Sequence, residues 1–291
     1  MKEWIVTEEN NLKDFTDSHD PQASFFFDRL LKAREIKING ERVAAGGSRT
    51  LLKSGDRVCY YLTRAQEEMT AFDTMYEDEN LLVTDKADGV NAEAVYETLA
   101  RERGAQGVYF IHRLDRNTRG LMIFAKNAAC AEELKRAFKE RDVEKTYLAV
   151  MKNCFSADET RQTAYLAKDA VRAEVRVSGK PSAGAEKIVT GFQPILKKGD
   201  IAVCEVFLHT GKTHQIRAHL ASVGHPIIGD PKYGDMKINE YYRKEFKLNR
   251  QLLHAWRLEF PELAAPLTDL SQKVVEAPVP ELMNKIMQKV M

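Results

Sequence analysis

Residues 108–127 read VYFIHRLDRNTRGLMIFAKN, a polar loop between two short apolar runs. The runs VYFI at 108–111 and GLMIFAKN at 120–127 are rich in aromatic and β-branched residues, and they predict two buried strands. Asp115 lies in the loop between them, where flanking strands can hold a side chain rigidly. The stretch therefore predicts a buried sheet that presents one aspartate.

Three arginines, Arg113, Arg116 and Arg119, surround Asp115 in the sequence. A carboxylate among guanidinium groups is stabilised as the anion, and excess positive charge attracts a polyanion. An ionised aspartate with no second carboxylate nearby indicates a nucleophile more than an acid/base pair. The alternative is a surface loop of mixed charge, and this stretch alone does not decide between the two.

The remaining pattern predicts an α+β fold with a mixed, largely antiparallel sheet and flanking helices, because few strand and helix signals alternate as βαβ units. Further strands are predicted at 81–83, 144–151, 201–208 and 252–260, and helices at 90–104, 128–141 and 280–290. A short helix is also predicted after 213, with Thr213 as its N-cap and Gly224 at its end.

The first sixty residues predict a small α/β unit of their own. FFFDRLLKAR at 25–34 predicts an amphipathic helix, and Asn39-Gly40 between two short runs predicts a hairpin turn. A second turn at 53–56 leads into a strand at 57–62. Residues 63–75 are polar and acidic and predict a linker. The expected domains are therefore 1–62 and 76–291.

Composition narrows the class of protein. The net charge is +1, but residues 24–57 and 103–152 each carry about twice as many basic as acidic residues, which is typical of a protein that meets a polyanion on chosen faces. The four cysteines form no CxxC pair, so buried reduced thiols are expected. There is neither a leader-like N-terminus nor an apolar run of membrane-spanning length, so we expect a cytoplasmic protein.

Three motifs resemble the RluA-like family of pseudouridine synthases, in order, over residues 76–260. They are HRLDRNTRGLMIFAKN at 112–127, ERDVEKTYLAV at 140–150 and LHTGKTHQIRAHLASVGHPIIGDPKYG at 208–234. Residues 10–62, through KINGERV and LKSGDRV, resemble an S4-type RNA-binding domain. The resemblance implies a catalytic domain with a pseudouridine-synthase fold and RNA, either ribosomal or transfer RNA, as the partner.

The resemblance also implies roles for individual residues. Asp115 is implied as the nucleophile, Tyr147 as the aromatic residue that stacks on the displaced uracil, and Arg217 as the charge partner of Asp115. Arg113 is implied to replace or expel the target nucleotide in the RNA stack, and the other implied or inferred RNA contacts are Arg116, Arg119, Lys145, Lys212 and His214. The alternatives are a core role for Tyr147, a simple phosphate contact for Arg113, and helix capping for Lys212 and His214.

Turning uridine into pseudouridine breaks the N1–C1′ bond, rotates the uracil and joins it through C5. No redox change occurs and no group is lost, so no cofactor is required. The carboxylate can act at C1′ or at C6, or it can stabilise charge and remove the C2′ proton, and the sequence leaves these open. Asn117, Arg119 and the segment DKADG at 85–89 depart from the commonest family pattern and put substrate contacts in question.

The sequence also suggests two rival functions. His209, His214 and His219 recur every five residues, but on a helix that spacing does not place them on one face, so no metal site is expected. The second rival is a non-catalytic RNA-binding or ribosome assembly factor on a retired synthase fold. Retention of Asp115, Tyr147 and Arg217 favours an enzyme, which we expect to be a monomer.

Overall fold

The computed structural model describes residues 1–104, 107–153, 161–169 and 174–290. The chain divides into two compact units, Met1–Asp73 with Gly89–Val108, and Thr74–Asp88 with Tyr109–Met291. The helices of the described residues are α1 (Leu12–His19), α2 (Pro21–Lys32), α3 (Arg64–Glu67), α4 (Ala92–Arg103), α5 (Ala128–Glu140), α6 (Gln215–Ser222), α7 (Met236–Phe246) and α8 (Glu281–Val290).

The strands fall into three sheets. They are β1 (Lys2–Ile5), β2 (Asn10–Asn11), β3 (Lys37–Ile38), β4 (Glu41–Arg42), β5 (Leu51–Leu52), β6 (Arg57–Tyr60), β7 (Phe72–Glu77), β8 (Leu81–Lys86), β9 (Tyr109–Phe110), β10 (Arg119–Ala125), β11 (Glu144–Lys152), β12 (Arg161–Asp169), β13 (Glu174–Ser178), β14 (Glu186–Lys198), β15 (Ile201–Leu208), β16 (Leu253–Glu259) and β17 (Val274–Glu276). The order is β1-β6-β3-β4 in the first unit and β13-β12-β14-β15-β11-β16-β10-β8-β7 in the second, while β2 pairs with β5.

The predicted fold class is confirmed. Among the described strand pairs whose register is known, the large sheet is antiparallel except between β10 and β16, which run parallel, and helices flank it. Strand β11 is almost wholly buried and lies between β15 and β16, so its side chains pack in the centre of the sheet. Strands β12 to β14 and helix α7 were not predicted, because their mixed polar and apolar residues give a weak period.

The Asn39-Gly40 hairpin forms as predicted. Both residues have positive φ, 52° and 90°, as a two-residue primed turn requires. The Asn39 amide also donates to Asp56 Oδ1 at 2.8 Å, and its Oδ1 accepts the Arg57 N–H at 2.8 Å. One side chain therefore joins the hairpin to the turn that precedes β6.

The helical half of the first unit differs from the prediction in two ways. Two helices form instead of one, since Asp20 ends α1 and caps α2 by accepting the Ala23 N–H at 3.2 Å. Helix α4, expected in the catalytic domain, clusters with the first unit, where Asn91 donates to Asp28 at 3.0 Å. The expected linker contains α3 and the start of β7.

Candidate active site

Asp115 lies in the loop between β9 and β10. The loop is anchored by two buried side chains, Leu114 and Thr118, and the Thr118 N–H donates to the Asp115 carbonyl at 3.0 Å. Gly120 follows with a φ of +124°, and a Cβ there would lie 2.1 Å from the Ala255 carbonyl oxygen on β16. The motif needs a glycine at this position because the loop is followed at once by β10, whose backbone lies too close to β16 for a side chain.

A buried lysine holds the same loop from inside. Lys86, the last residue of β8, donates to the carbonyl oxygens of Ala87 at 2.9 Å and Arg116 at 3.1 Å. Burial lowers the pKa of Lys86 to about 7. Lys86 was not among the predicted site residues, and the signal for it was a lysine that ends the apolar run LLVTDK at 81–86.

Arg217 joins Asp115 to a second, buried carboxylate. Its Nη1 donates to Asp115 Oδ2 at 2.9 Å, while Nε and Nη2 donate to the two oxygens of Asp230 at 2.7 and 3.0 Å. Burial opposes ionisation of Asp230, but the Arg217 hydrogen bonds outweigh it and hold the pKa of Asp230 below its ordinary value. The predicted pairing of Arg217 with Asp115 is present, and Asp230 was missed.

A buried polar network fixes the turn that leads into α6. Gln215 accepts from Thr210 Oγ1 at 2.8 Å and donates to the Val189 carbonyl and to Thr190 Oγ1, both at 3.1 Å. The predicted N-cap, Thr213, is one residue early. The helix begins at Gln215 and is preceded by His214 in the left-handed region, with φ 54°. The Gln215 side chain, instead of a capping hydroxyl, orders this turn.

His214 lies beside the carboxylate and is oriented by Tyr233. The Tyr233 hydroxyl accepts the Val175 N–H at 3.1 Å and lies 3.0 Å from His214 Nδ1. The other ring nitrogen, Nε2, lies 3.9 Å from Asp115 Oδ2. Burial lowers the pKa of His214, although the charge of Asp115 opposes this shift.

Tyr147 projects into the same space from the centre of the sheet. The pairing of β11 with β16 shifts register between Thr146 and Tyr147, and such a bulge redirects a side chain. Tyr147 is 7% exposed, and burial, followed by the charge of Asp115, raises the pKa of its hydroxyl. The hydroxyl therefore stays protonated at neutral pH and can donate a hydrogen bond.

These side chains line a cleft of about 520 Å³. Its described lining includes three predicted catalytic residues and four of the six predicted RNA contacts, together with the end of α5, namely Arg113, Asp115, Phe138, Lys139, Arg141, Lys145, Tyr147, Lys212, His214 and Arg217. The Asp115 side chain is 20% exposed and Arg217 is 7% exposed, so the carboxylate is reachable while its partner is enclosed. The cleft can hold a nucleotide against one accessible carboxylate.

Two predicted RNA contacts do not line the cleft. Arg119 donates from Nε and Nη2 to the buried Asp85 at 3.2 and 2.9 Å, and its contact with RNA stays a prediction. Arg116 contributes its carbonyl oxygen to Lys86 and lies outside the lining. Lys212 does line the cleft, but it forms an ion pair with Glu186.

The three regularly spaced histidines do not converge. The His219 Nδ1 lies 2.9 Å from Thr190 Oγ1 inside the protein, while His214 contacts Tyr233 and His209 is exposed. Within residues 1–104, 107–153, 161–169 and 174–290, no group of three or more metal-ligating side chains is close enough to hold an ion. Within the same ranges, no helix combines the length and apolarity needed to cross a bilayer.

Comparison with known proteins identifies the family of the chain. A family model described as RNA pseudouridylate synthase matches residues 78–222, which include Asp115, Tyr147 and Arg217. Ribosomal large subunit pseudouridine synthase C of Vibrio vulnificus is 30% identical over 303 residues, which cover 96% of this chain and 90% of that protein. The tRNA pseudouridine synthase C of Vibrio cholerae is 31% identical and covers 64% of this chain and 84% of its own.

A solved structure of a protein with the same family description is also similar to this chain. Human RNA Pseudouridylate Synthase Domain Containing 1 aligns with a TM-score of 0.56 and 26% identity, over 75% of this chain and 94% of that one. The fold and the cleft are those of a largely antiparallel sheet that presents an aspartate, a tyrosine and an arginine together. The chain belongs to the RNA pseudouridylate synthase family, whose members are isomerases of RNA uridines.

Proposed function

We propose that this chain is an RluA-type synthase that isomerises uridines of large-subunit ribosomal RNA, with Asp115 as the nucleophile. The observation that carries the proposal is the cleft in which the accessible Asp115 carboxylate is held by Arg217 at 2.9 Å beside the buried Tyr147. An RNA base that enters the cleft meets one anionic oxygen and one aromatic side chain.

The reaction conserves atoms. The N1–C1′ bond breaks, the uracil rotates, a C5–C1′ bond forms, and the C5 proton leaves while N1 gains one. Asp115 can form a bond to C1′ or to C6, or it can take the C2′ proton, and each route uses the same carboxylate. Arg217 fixes the rotamer of Asp115 through their hydrogen bond. Tyr147 stacks on the detached uracil, which enters the cleft after extrusion from the RNA at a cost of a few kcal/mol.

Ribosomal RNA is favoured by the extent of the similarity. The relative named for the large ribosomal subunit matches 96% of this chain, whereas the relative named for tRNA matches 64%. The shared length with the ribosomal enzyme therefore includes most of the first unit. A cytoplasmic, monomeric enzyme without a cofactor fits this function.

The first unit acts as an S4-like RNA-binding domain. Its residues 1–62 supply the helices and the Asn39-Gly40 hairpin, and its cations Arg34, Lys37 and Arg42 are exposed and line a second cleft of about 310 Å³. These three cations form no ion pair with any described residue. They are therefore available for RNA phosphates.

The nucleophile is tested with large-subunit ribosomal RNA transcribed with [5-³H]uridine. Wild type should release tritium as C5 forms its new bond, and Asp115→Asn should release none while binding the RNA within about threefold of wild type, since no phosphate-binding cation is lost. Asp73→Asn, a change at an exposed position, is the matched control and should behave as wild type. Turnover by Asp115→Asn would show that Asp115 is not the nucleophile, and it would not affect the family membership of the chain.

The substrate is tested by mapping pseudouridine in RNA from cells with and without the gene. Sites should disappear from large-subunit ribosomal RNA and return with the wild-type gene. If sites disappeared from tRNA instead, the substrate would be tRNA and the assignment to ribosomal RNA would be wrong. No lost site in any RNA, with intact binding, would favour the non-catalytic assembly factor.

The first unit is tested in the full chain, because deletion of residues 1–62 would uncover α4, which packs in the same unit. The triple change Arg34→Gln, Lys37→Gln and Arg42→Gln should weaken RNA binding and flatten its salt dependence. Unchanged affinity and salt dependence would show that the S4-like assignment is wrong.

A further inference from the structure

The charges at one side of the cleft are unbalanced. Helix α5 ends at Glu140, and Lys139 and Arg141 there are exposed and line the cleft. Neither side chain forms a hydrogen bond or an ion pair with a described residue. We call Lys139, Arg141 and the nearby Lys145 the α5–β11 rim.

Arg136 binds the acidic side chains near the end of α5. Arg136 forms ion pairs with Glu133 at 2.8 Å, with Glu140, and with Asp142 at 3.4 Å. These acids therefore pair with an arginine outside the cleft lining, and no ion pair joins them to Lys139 or Arg141.

Lys145 is enclosed within this rim. Its Nζ lies 4.9 Å from the centre of the Phe138 ring, and His112 stacks on the same ring at 4.7 Å. Burial lowers the pKa of Lys145, and the charge of Arg141 lowers it further. Two cations that repel each other at the wall of a cleft are stabilised when an anion binds between them.

The positive charge at the turn before α6, unlike that of the rim, is neutralised within the protein. Lys212 forms an ion pair with Glu186, and no phosphate is required to neutralise it. Asp115 is likewise neutralised within the protein, by Arg217. Of the cleft cations Lys139, Arg141, Lys212 and Arg217, Lys139 and Arg141 are the two that form no ion pair with a described residue.

From this geometry we infer that Lys139, Arg141 and Lys145 bind a backbone phosphate next to the nucleotide that occupies the cleft. The inference rests on the proposed RNA substrate and adds two residues that sequence reasoning did not select, Lys139 and Arg141. The RNA backbone then follows the end of α5 in preference to the turn that contains Lys212. Because phosphates occur at every nucleotide, the rim contributes affinity and register and carries no sequence preference.

The test measures equilibrium binding of a large-subunit ribosomal RNA transcript at several KCl concentrations. All variants carry Asp115→Asn to prevent turnover. Each phosphate contact contributes about 0.7 to 0.9 to the slope of log affinity against log salt. The pair Lys139→Gln and Arg141→Gln should reduce that slope by about one and weaken binding about tenfold at low salt.

Two controls make the result specific. Lys135→Gln removes a charge from the same helix at a position outside the cleft lining, where Glu132 lies 3.7 Å away, and it should leave the slope unchanged. Arg141→Lys keeps the charge and should retain most of the affinity. An unchanged slope and an affinity within twofold of the parent in the double variant would overturn the inference. If the double variant lost only thermal stability, the two cations would instead be shown to stabilise the C-terminal end of α5.

The outcome is separable from the proposed reaction. Tritium release by the protein without Asp115→Asn reports isomerisation, whereas the salt slope reports phosphate contacts in the absence of turnover. Failure of wild type to release tritium would overturn the proposed function. The salt slope would still test whether the α5–β11 rim binds an RNA phosphate.

Discussion

Asp230 holds Arg217 through hydrogen bonds of 2.7 Å to Nε and 3.0 Å to Nη2, and this leaves Nη1 for Asp115 at 2.9 Å. The Asp230 Oδ1 also accepts the backbone N–H groups of Lys232 and Tyr233, at 2.8 and 3.1 Å. A carboxylate outside the cleft lining thus sets the direction of the guanidinium that orients the nucleophile.

We predict that Asp230→Asn slows isomerisation by about 10- to 100-fold and leaves RNA affinity within about threefold, because Arg217 loses its charged second partner. Loss of one member of this buried pair should also cost about 3 kcal/mol of unfolding free energy. Single-turnover tritium release and urea unfolding measure the two effects. Asp235→Asn is the matched control, since Asp235 caps α7 and should affect stability alone. Equal rates for the two variants would contradict the positioning role.

The second prediction separates the ring of Tyr147 from its hydroxyl. Tyr147→Leu should slow the single-turnover rate by about 10- to 100-fold, the equivalent of one base stack, while Tyr147→Phe retains the stack and slows it less. Comparable RNA affinity in both variants would confirm that the loss concerns the base after it enters the cleft. A larger loss in Tyr147→Phe would transfer the role from the ring to the hydroxyl.

The third prediction concerns Gly120, whose φ is +124° and whose Cβ would lie 2.1 Å from the Ala255 carbonyl oxygen. Gly120→Ala should cost roughly 3 kcal/mol or more, because both the backbone conformation and a strand contact must change. Gly211→Ala is the control, since a Cβ at Gly211 meets nothing within 4 Å. Thermal melting of both variants checks the difference, and equal midpoints would show that the β10–β16 contact is not close.

The fourth prediction concerns stability against pH. Burial lowers the pKa of His219 from 6.5 to about 4. Between these pH values the unfolded chain binds a proton that the folded protein does not, so protonation favours the unfolded state. The contribution of His219 to the free energy of unfolding is therefore complete above pH 6.5 and is lost as the pH falls towards 4. His219→Gln should remove about 2 kcal/mol of the decrease in unfolding free energy between pH 7 and pH 5. Urea unfolding at the two pH values measures this, and identical decreases would mean that His219 is protonated in the folded protein.

Local sequence predicted the parts of the fold that depend on short-range interactions. The Asn39-Gly40 turn forms because two adjacent positive φ angles suit those residue types. The runs that flank Asp115 form β9 and β10 because apolar β-type segments need a sheet to pack in. Weakly periodic segments such as β12 to β14 and α7 were missed, because their pattern reflects neighbours that the sequence does not reveal.

The sequence by itself determined the class of fold, the loop that carries Asp115 and, through its motifs, the residues that meet in the cleft. The tertiary structure decided which charges remain available. Arg119 pairs with Asp85, 34 residues earlier in the chain, because β8 and β10 are neighbours, whereas Arg217 reaches Asp115 across 102 residues. Lys139 and Arg141 form no ion pair with a described residue, whereas Glu140 and Asp142 beside them pair with Arg136. The charge of a residue is written in the sequence, but its neutralisation depends on partners that folding brings within hydrogen-bonding distance.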